Sequence, residues 1–152
     1  MAFFLGLVSI TALLYGAGWL THNAYLLTVQ NDRLLATVVM FVLIGSTHLR
    51  KPETLTYMVP AGLPNARLLV LLSGIAEIGL GIGLLVPEVR TWAAWGLIVL
   101  LVLIFPANIN VAVNNLPPPG GLPAKPWYVW SRLLFQPAYS LWIYYSVWGT
   151  AF

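Results

Sequence analysis

The 152-residue chain contains no cysteine, so disulfide staples, thiolate metal sites and thiol relays within it are excluded. Charge is nearly as scarce. Asp, Glu, Lys and Arg make up 7% of the residues, with four acidic side chains against seven basic ones and only two histidines. A soluble domain carries about 25% charged residues. What fills the space is apolar: 60% of the chain is hydrophobic and the mean hydropathy is +0.87. A soluble fold of this size leaves a large fraction of its surface exposed and cannot bury so much apolar area. The composition excludes a soluble globular domain, a disordered chain and a nucleic-acid binder. It leaves an integral membrane protein whose partners are membrane lipids and other membrane subunits.

A span needs about 20 residues, so the length allows five at most. The first apolar run, Ala2 to Leu27, carries no charge and ends near Thr21, His22 and Asn23. It lacks a basic leader and reads as a retained helix, not a signal peptide. Gln30-Asn31-Asp32-Arg33 reads as a short polar turn. The second run, Leu34 to Leu49, is stopped by Arg50-Lys51-Pro52, and the connection Glu53 to Asn65 contains Pro60 and Pro64. The third run is Ala66 to Val86 and the fourth Thr91 to Val113, interrupted by Pro106. After the proline-rich loop Leu116 to Pro126, the fifth run, Trp127 to Trp148, is dense in Trp and Tyr. Aromatic belts explain the ends of that span but not Tyr139 and Trp142 inside it. Continuous apolar runs rather than alternation exclude a barrel, and lipid then requires helices. The expected fold is an all-α, polytopic membrane bundle of five transmembrane helices.

The basic residues give an orientation. Arg50, Lys51, Arg67, Lys125 and Arg132 fall on the side of the N-terminus, against Arg33 and Arg90 on the other. By the positive-inside rule the N-terminus is cytoplasmic and the C-terminus outside, in a bacterial inner membrane.

Glu77 is the one carboxylate deep in a span, about 15 Å from Arg67 at 1.5 Å per residue. Ser73, Glu77 and Gly81 share a helix face. Gly74, Gly79 and Gly83 add small surfaces, and Gly79-x-x-x-Gly83 is a close-packing pattern. Two readings of Glu77 stand: a ligand-binding or proton-linked carboxylate, or hydrogen-bonded helix glue. By depth, His48, Asn108, Asn110, Arg132 and Gln136 fall in the same membrane half. One polar cluster made from four helices, with Arg132 paired to a carboxylate or a ligand oxygen, is the economical arrangement. The alternative has Arg132 snorkelling to the interface and the asparagines capping a helix end. His22 and His48 close opposite ends of their spans and cannot share a metal, and no nucleophilic triad or phosphate loop is present. No intrinsic cofactor and no independent catalytic activity are expected.

The run Gly45-Ser46-Thr47-His48, followed by Val59-Pro60 and Leu63-Pro64, resembles the DoxX-like membrane proteins. So do Ser73-Gly74, Glu77, Gly81, Gly83 and Pro87, then Arg90, Ala93-Ala94-Trp95-Gly96 and Phe105-Pro106-Ala107-Asn108. Trp130-x-Arg132-Leu133-x-x-Gln136 is similar to that family's C-terminal element. The resemblance covers about residues 34–148 and implies a four-helix core over 31–152, with 1–30 as an additional N-terminal helix. Leu49 departs from it, since the family usually has an aromatic after the histidine. The founding member is similar to a subunit of a thiosulfate:quinone oxidoreductase. The resemblance implies quinone- or redox-associated membrane work. The small size, the lack of a redox centre or soluble domain and the uncharged first helix make an auxiliary subunit of a membrane redox or energy-converting complex the expected role. Other readings are a protein binding quinone or lipid at Glu77, Arg132, Gln136, His48, Asn108 and Tyr139, or a small transporter, for which no inverted repeat is visible.

Overall fold

The computed structural model describes residues 2–119 and 125–149. The C-terminal residue and residues 120–124 of the expected Leu116–Pro126 loop lie outside them. Five α-helices follow in order: α1 (Ala2–Thr21), α2 (Val29–Arg50), α3 (Ala66–Gly83), α4 (Arg90–Val113) and α5 (Pro126–Trp148). Short 3₁₀ turns lie at Ala24–Leu27, Pro52–Thr54 and Thr56–Met58. Among the described residues there is no strand. Helices α1 to α4 are each long and apolar enough to cross a membrane. Helix α5 has 23 residues, but Arg132, Gln136, its serines and Pro137 make it more polar.

Helix α1 stops where His22 takes the left-handed conformation, φ 53°, and Asn23 N–H donates back to the Gly18 carbonyl at 3.0 Å. This is a Schellman close. Gly18 is required there, because a Cβ would sit 2.7 Å from the Leu26 backbone as the chain folds over it. Helix α4 ends the same way, with Asn115 at φ 49° and Leu116 N–H on the Val111 carbonyl at 3.0 Å.

The turn expected at Gln30–Arg33 is instead the first turn of α2, and the reversal lies one segment earlier. The polar side chains do not break the helix because they find partners outside it. Gln30 donates to the Val147 carbonyl at 3.2 Å and Asn31 to the Tyr25 carbonyl at 3.0 Å, while the Arg33 guanidinium lies 5.9 Å from the Trp142 ring centroid. Asp32 sits in the first turn, where the helix dipole favours an acid. It is fully buried, with neither oxygen hydrogen-bonded. Helix α4 runs unbroken through Pro106, which removes one N–H and frees the Val102 carbonyl.

Helices α2, α3, α4 and α5 form a closed ring, and α1 packs outside on α2. Phe41, Leu84, Ala94, Leu97, Leu101 and Ile143 make the core. The α2–α3 crossing is the tightest. A Cβ on Gly45 would lie 2.6 Å from the Gly74 carbonyl oxygen, and one on Gly74 would lie 2.6 Å from His48 Cβ. Gly81 faces Phe41, and a Cβ on Gly83 would lie 3.0 Å from Ala93 Cβ across α3 and α4. Gly79 does not belong to this set. It faces open space, because the contact faces of α3 run through 74, 77 and 81 and through 80 and 83.

Candidate functional site

At the end of the ring where α2 and α4 finish and α3 and α5 begin, the helices enclose a cavity of about 520 Å³. Ligand pockets commonly fall between about 300 and 1,000 Å³. Its lining is mostly apolar, with polar groups on two facing walls.

One wall comes from α2 and α3. Gly45 and Gly74 strip both helices of side chains at the crossing, and each gap receives a polar residue from the other helix. His48 Cβ lies over Gly74, and Glu77 Cβ lies 3.1 Å from the position a Gly45 Cβ would take. His48 Nδ1 is thereby brought to 3.1 Å from Glu77 Oε2 and 3.2 Å from Ser73 Oγ. Ser73 donates its own hydrogen to the Val70 carbonyl at 2.9 Å. Nδ1 must then carry the ring hydrogen and donate, an assignment that follows from the network. Glu77 is 2% exposed, and its Oε2 accepts no well-aligned hydrogen bond.

The facing wall comes from α4 and α5. Arg132 Nη2 donates to Asn108 Oδ1 at 3.1 Å, Asn108 Nδ2 to Gln136 Oε1 at 2.6 Å, and Gln136 Nε2 to the Leu101 carbonyl at 2.6 Å. Every amide orientation in this chain is fixed by its neighbours, and the chain runs from a cation to a backbone oxygen. Arg132 Nη1 is left buried with no partner. Tyr139 closes this wall, with Phe3 of α1 packed edge-on at 4.8 Å.

The end of the cavity beyond the helices is spanned by the connection after α2 and by Pro118 and Pro119. Leu55, Met58, Val59 and Pro60 turn inward, held by Asn110 Nδ2 on the Met58 carbonyl at 2.9 Å and by Tyr57 OH on the Pro117 carbonyl. Burial raises the Tyr57 phenol above its ordinary pKa, against the lowering effect of the Arg132 charge. Arg67, at the start of α3, pairs with Glu53 at 2.6 Å on the exposed outer side.

His48, Glu77, Asn108, Arg132, Gln136 and Tyr139, named from the sequence, all line this one cavity. Asn110 does not, and it ties down the cap. Of the two partners considered for Arg132, a carboxylate or a ligand oxygen, a direct Arg132–Glu77 ion pair is absent among the described residues. Glu77 is paired with His48, and Arg132 is engaged by Asn108. Ser73 joins the polar wall in addition to sitting beside Gly74. The cap residues and Phe3 were not legible as site residues. The signal that could have revealed the His48–Glu77 pair is the repeated spacing Gly45-x-x-His48 and Gly74-x-x-Glu77. Among the described residues no three His, Asp or Glu side chains come together as a metal site.

No curated protein and no solved structure matches the chain. A family model described as domain of unknown function (DUF8561) matches residues 36–147, a span that holds both polar walls and leaves out α1. The match covers most of the chain, and the protein belongs to the DUF8561 family.

Proposed function

We propose that this protein binds a lipid-soluble small molecule inside the membrane, with the polar head between the His48–Glu77 wall and the Arg132–Asn108–Gln136 wall. One observation carries the reading. Glu77 Oε2 and Arg132 Nη1 are both buried on side chains facing the same cavity; Arg132 Nη1 has no hydrogen-bond partner, and Glu77 Oε2 has only the poorly aligned contact with His48 Nδ1. A buried unsatisfied polar group costs about 1–3 kcal/mol, and a charged one more. A head that accepts from Arg132 and donates to Glu77 recovers that cost at both ends. Quinone and quinol together have this chemistry, one offering carbonyl acceptors and the other hydroxyl donors. The DoxX-like motif order supports the same class.

In this reading all five helices span a bacterial inner membrane, and α2 to α5 form a DoxX-like core. The basic residues put the N-terminus and the cavity end in the cytoplasmic half. The protein serves a membrane redox or energy-converting complex as an auxiliary subunit without a cofactor of its own. Helix α1 favours a role in assembly. It carries no charge, lies outside the family span, and exposes Leu13, Trp19 and Leu20 by 69–73%.

Organic extraction of the protein purified in mild detergent, followed by mass spectrometry, tests the binding reading. A stoichiometric lipid-soluble molecule should accompany the protein and be lost in Glu77→Gln and Arg132→Met. Extracts holding only bulk phospholipid, identical across the three proteins, would overturn it.

A further inference from the structure

A ligand must be able to reach a buried head site. The end beyond the helices is spanned by the tied cap, whose Leu55 and Pro118 are buried and whose Met58, Val59 and Pro60 are half-buried. The α2–α5 side is covered by the start of α1. Phe3 packs edge-on against Phe41 at 5.4 Å and Tyr139 at 4.8 Å, and Phe4 lies against Phe135 and Trp142. The far half of the α3–α4 seam is closed by contact. Gly83 meets Ala93, and Gly96 leaves room for Leu80, whose Cδ2 lies 2.7 Å from where a Cβ would stand.

The near half of that seam differs. Leu69 and Leu72 of α3 and Leu103 of α4 line the cavity and yet are 38%, 52% and 69% exposed. Leu63, just before α3, and Pro106, three residues on from Leu103, are also both cavity-lining and exposed. A side chain that faces both the cavity and the exterior marks an opening. Leu72 lies six residues into α3 and Leu103 thirteen into α4, about 9 and 20 Å along their axes at 1.5 Å per residue. Both depths fall within the ~30 Å hydrocarbon layer when these helices span it.

We infer that the cavity opens sideways into the bilayer between α3 and α4. Its ligand is a single-chain lipid with an uncharged, hydrogen-bonding head, and its hydrocarbon tail leaves through the portal rimmed by Leu72 and Leu103. This rests on the binding reading above and adds the class of ligand and its route. The rim is wholly apolar, so a tail lying across it exchanges lipid neighbours for leucine at little cost. The head meets a carboxyl on one wall and a guanidinium on the other, so a head with net charge matches one wall and opposes the other. An uncharged head with both a donor and an acceptor matches both.

The probe is a monoacylglycerol with a diazirine in its acyl chain, photolysed with the full-length protein in nanodiscs and mapped by peptide mass spectrometry. Adducts should concentrate on Leu69–Leu72 and around Leu103, and unlabelled monoacylglycerol should compete them away. Leu72→Trp combined with Leu103→Trp, both at exposed positions that folding tolerates, should abolish this competed labelling. Leu13→Trp on the outer face of α1 should leave it unchanged. Glu77→Gln should also lower it, since one carboxyl oxygen becomes a donor and the amide oxygen that remains is a weaker acceptor. Adducts spread evenly over the exposed helix faces, or absence of competed labelling, would overturn the portal and its ligand class. Competed adducts at Met58 or Tyr128 that survive the tryptophan pair but vanish in Glu77→Gln would overturn the portal alone and leave binding in the cavity standing.

Discussion

His48 Nδ1 lies 3.1 Å from Glu77 Oε2 because each residue occupies the gap left by a glycine on the other's helix. Backbone packing and site chemistry are thus one arrangement. The close crossing at Gly45 and Gly74 places the polar pair, and the pair fills the space that the glycines open. In lipid, helix association rests on such close packing and on interhelical hydrogen bonds, since lipid tails are as apolar as leucine.

The glycines therefore differ in consequence. Gly45→Ala and Gly74→Ala each put a Cβ within 2.6 Å of an atom of the opposite helix, a backbone oxygen in the first case. Overpacking of this kind costs about 1–3 kcal/mol. Gly79→Ala meets nothing within 4 Å and should be neutral or slightly stabilising. Thermal unfolding of the three variants in one detergent checks this ranking. Equal losses for all three would remove the packing argument.

The polar pair should show non-additive energetics. His48→Phe leaves a nearly fully buried carboxyl with no partner and should destabilise by about 1–3 kcal/mol. Replacing both members, His48→Phe with Glu77→Met, removes the unsatisfied group and should recover much of that loss, as apolar replacement of buried pairs often does. A double-mutant cycle on unfolding free energy reads the coupling, expected at about 0.5–3 kcal/mol. Additive losses would mean that the two side chains only share a neighbourhood.

Long, continuously apolar runs made the five helices legible, because with alternation absent only helices satisfy the backbone in lipid. The reading failed where polar side chains have distant partners. Gln30 and Asn31 looked like a turn because the Val147 and Tyr25 carbonyls that receive them are brought near only by folding. Depth counting grouped Glu77, His48, Asn108, Arg132 and Gln136, which the cavity brings together, but it also took in Asn110, which ties the cap, and it could not assign partners. Depth says nothing of azimuth around a helix, and azimuth decides that Glu77 faces α2 while Arg132 faces α4. The cavity itself was not legible. Its cap comes from Leu55 to Pro60, part of a connection whose prolines read only as excluding one continuous helix.

The Arg132–Asn108–Gln136 chain separates stability from binding. Asn108→Leu breaks two hydrogen bonds and leaves Gln136 Oε1 and Arg132 Nη2 unpaired, so it should cost about 1–3 kcal/mol for each orphaned group. Asn108→Asp keeps the acceptor for Arg132 and strengthens it, but removes the donor to Gln136. Stability should fall less than in Asn108→Leu. Retention of the co-purifying molecule should still fall, because the carboxylate competes for the guanidinium. Unfolding temperature and extracted ligand per protein, measured on both variants, check the split. Loss of both properties in equal measure would assign Asn108 to structure alone.

Arg132 also changes the topology argument. Its guanidinium is held by Asn108 against the cavity, so it does not report on a membrane surface. The remaining bias is Arg50, Lys51, Arg67 and Lys125 against Arg33 and Arg90, and Arg67 is already matched by Glu53. The sign still favours cytoplasmic placement of the capped end. The absence of cysteine makes this directly testable, since each introduced thiol is the only one in the chain. Asn23→Cys, between α1 and α2, and Glu88→Cys, between α3 and α4, lie at one end; Thr54→Cys and Asn115→Cys lie at the other. All four positions are exposed. A membrane-impermeant maleimide added to intact cells should label Asn23→Cys and Glu88→Cys and spare Thr54→Cys and Asn115→Cys until the membrane is permeabilised. The inverse pattern would put the cavity in the outer half. Labelling of Glu88→Cys without Asn23→Cys would put the α1–α2 turn on the cytoplasmic side and overturn the five-span arrangement.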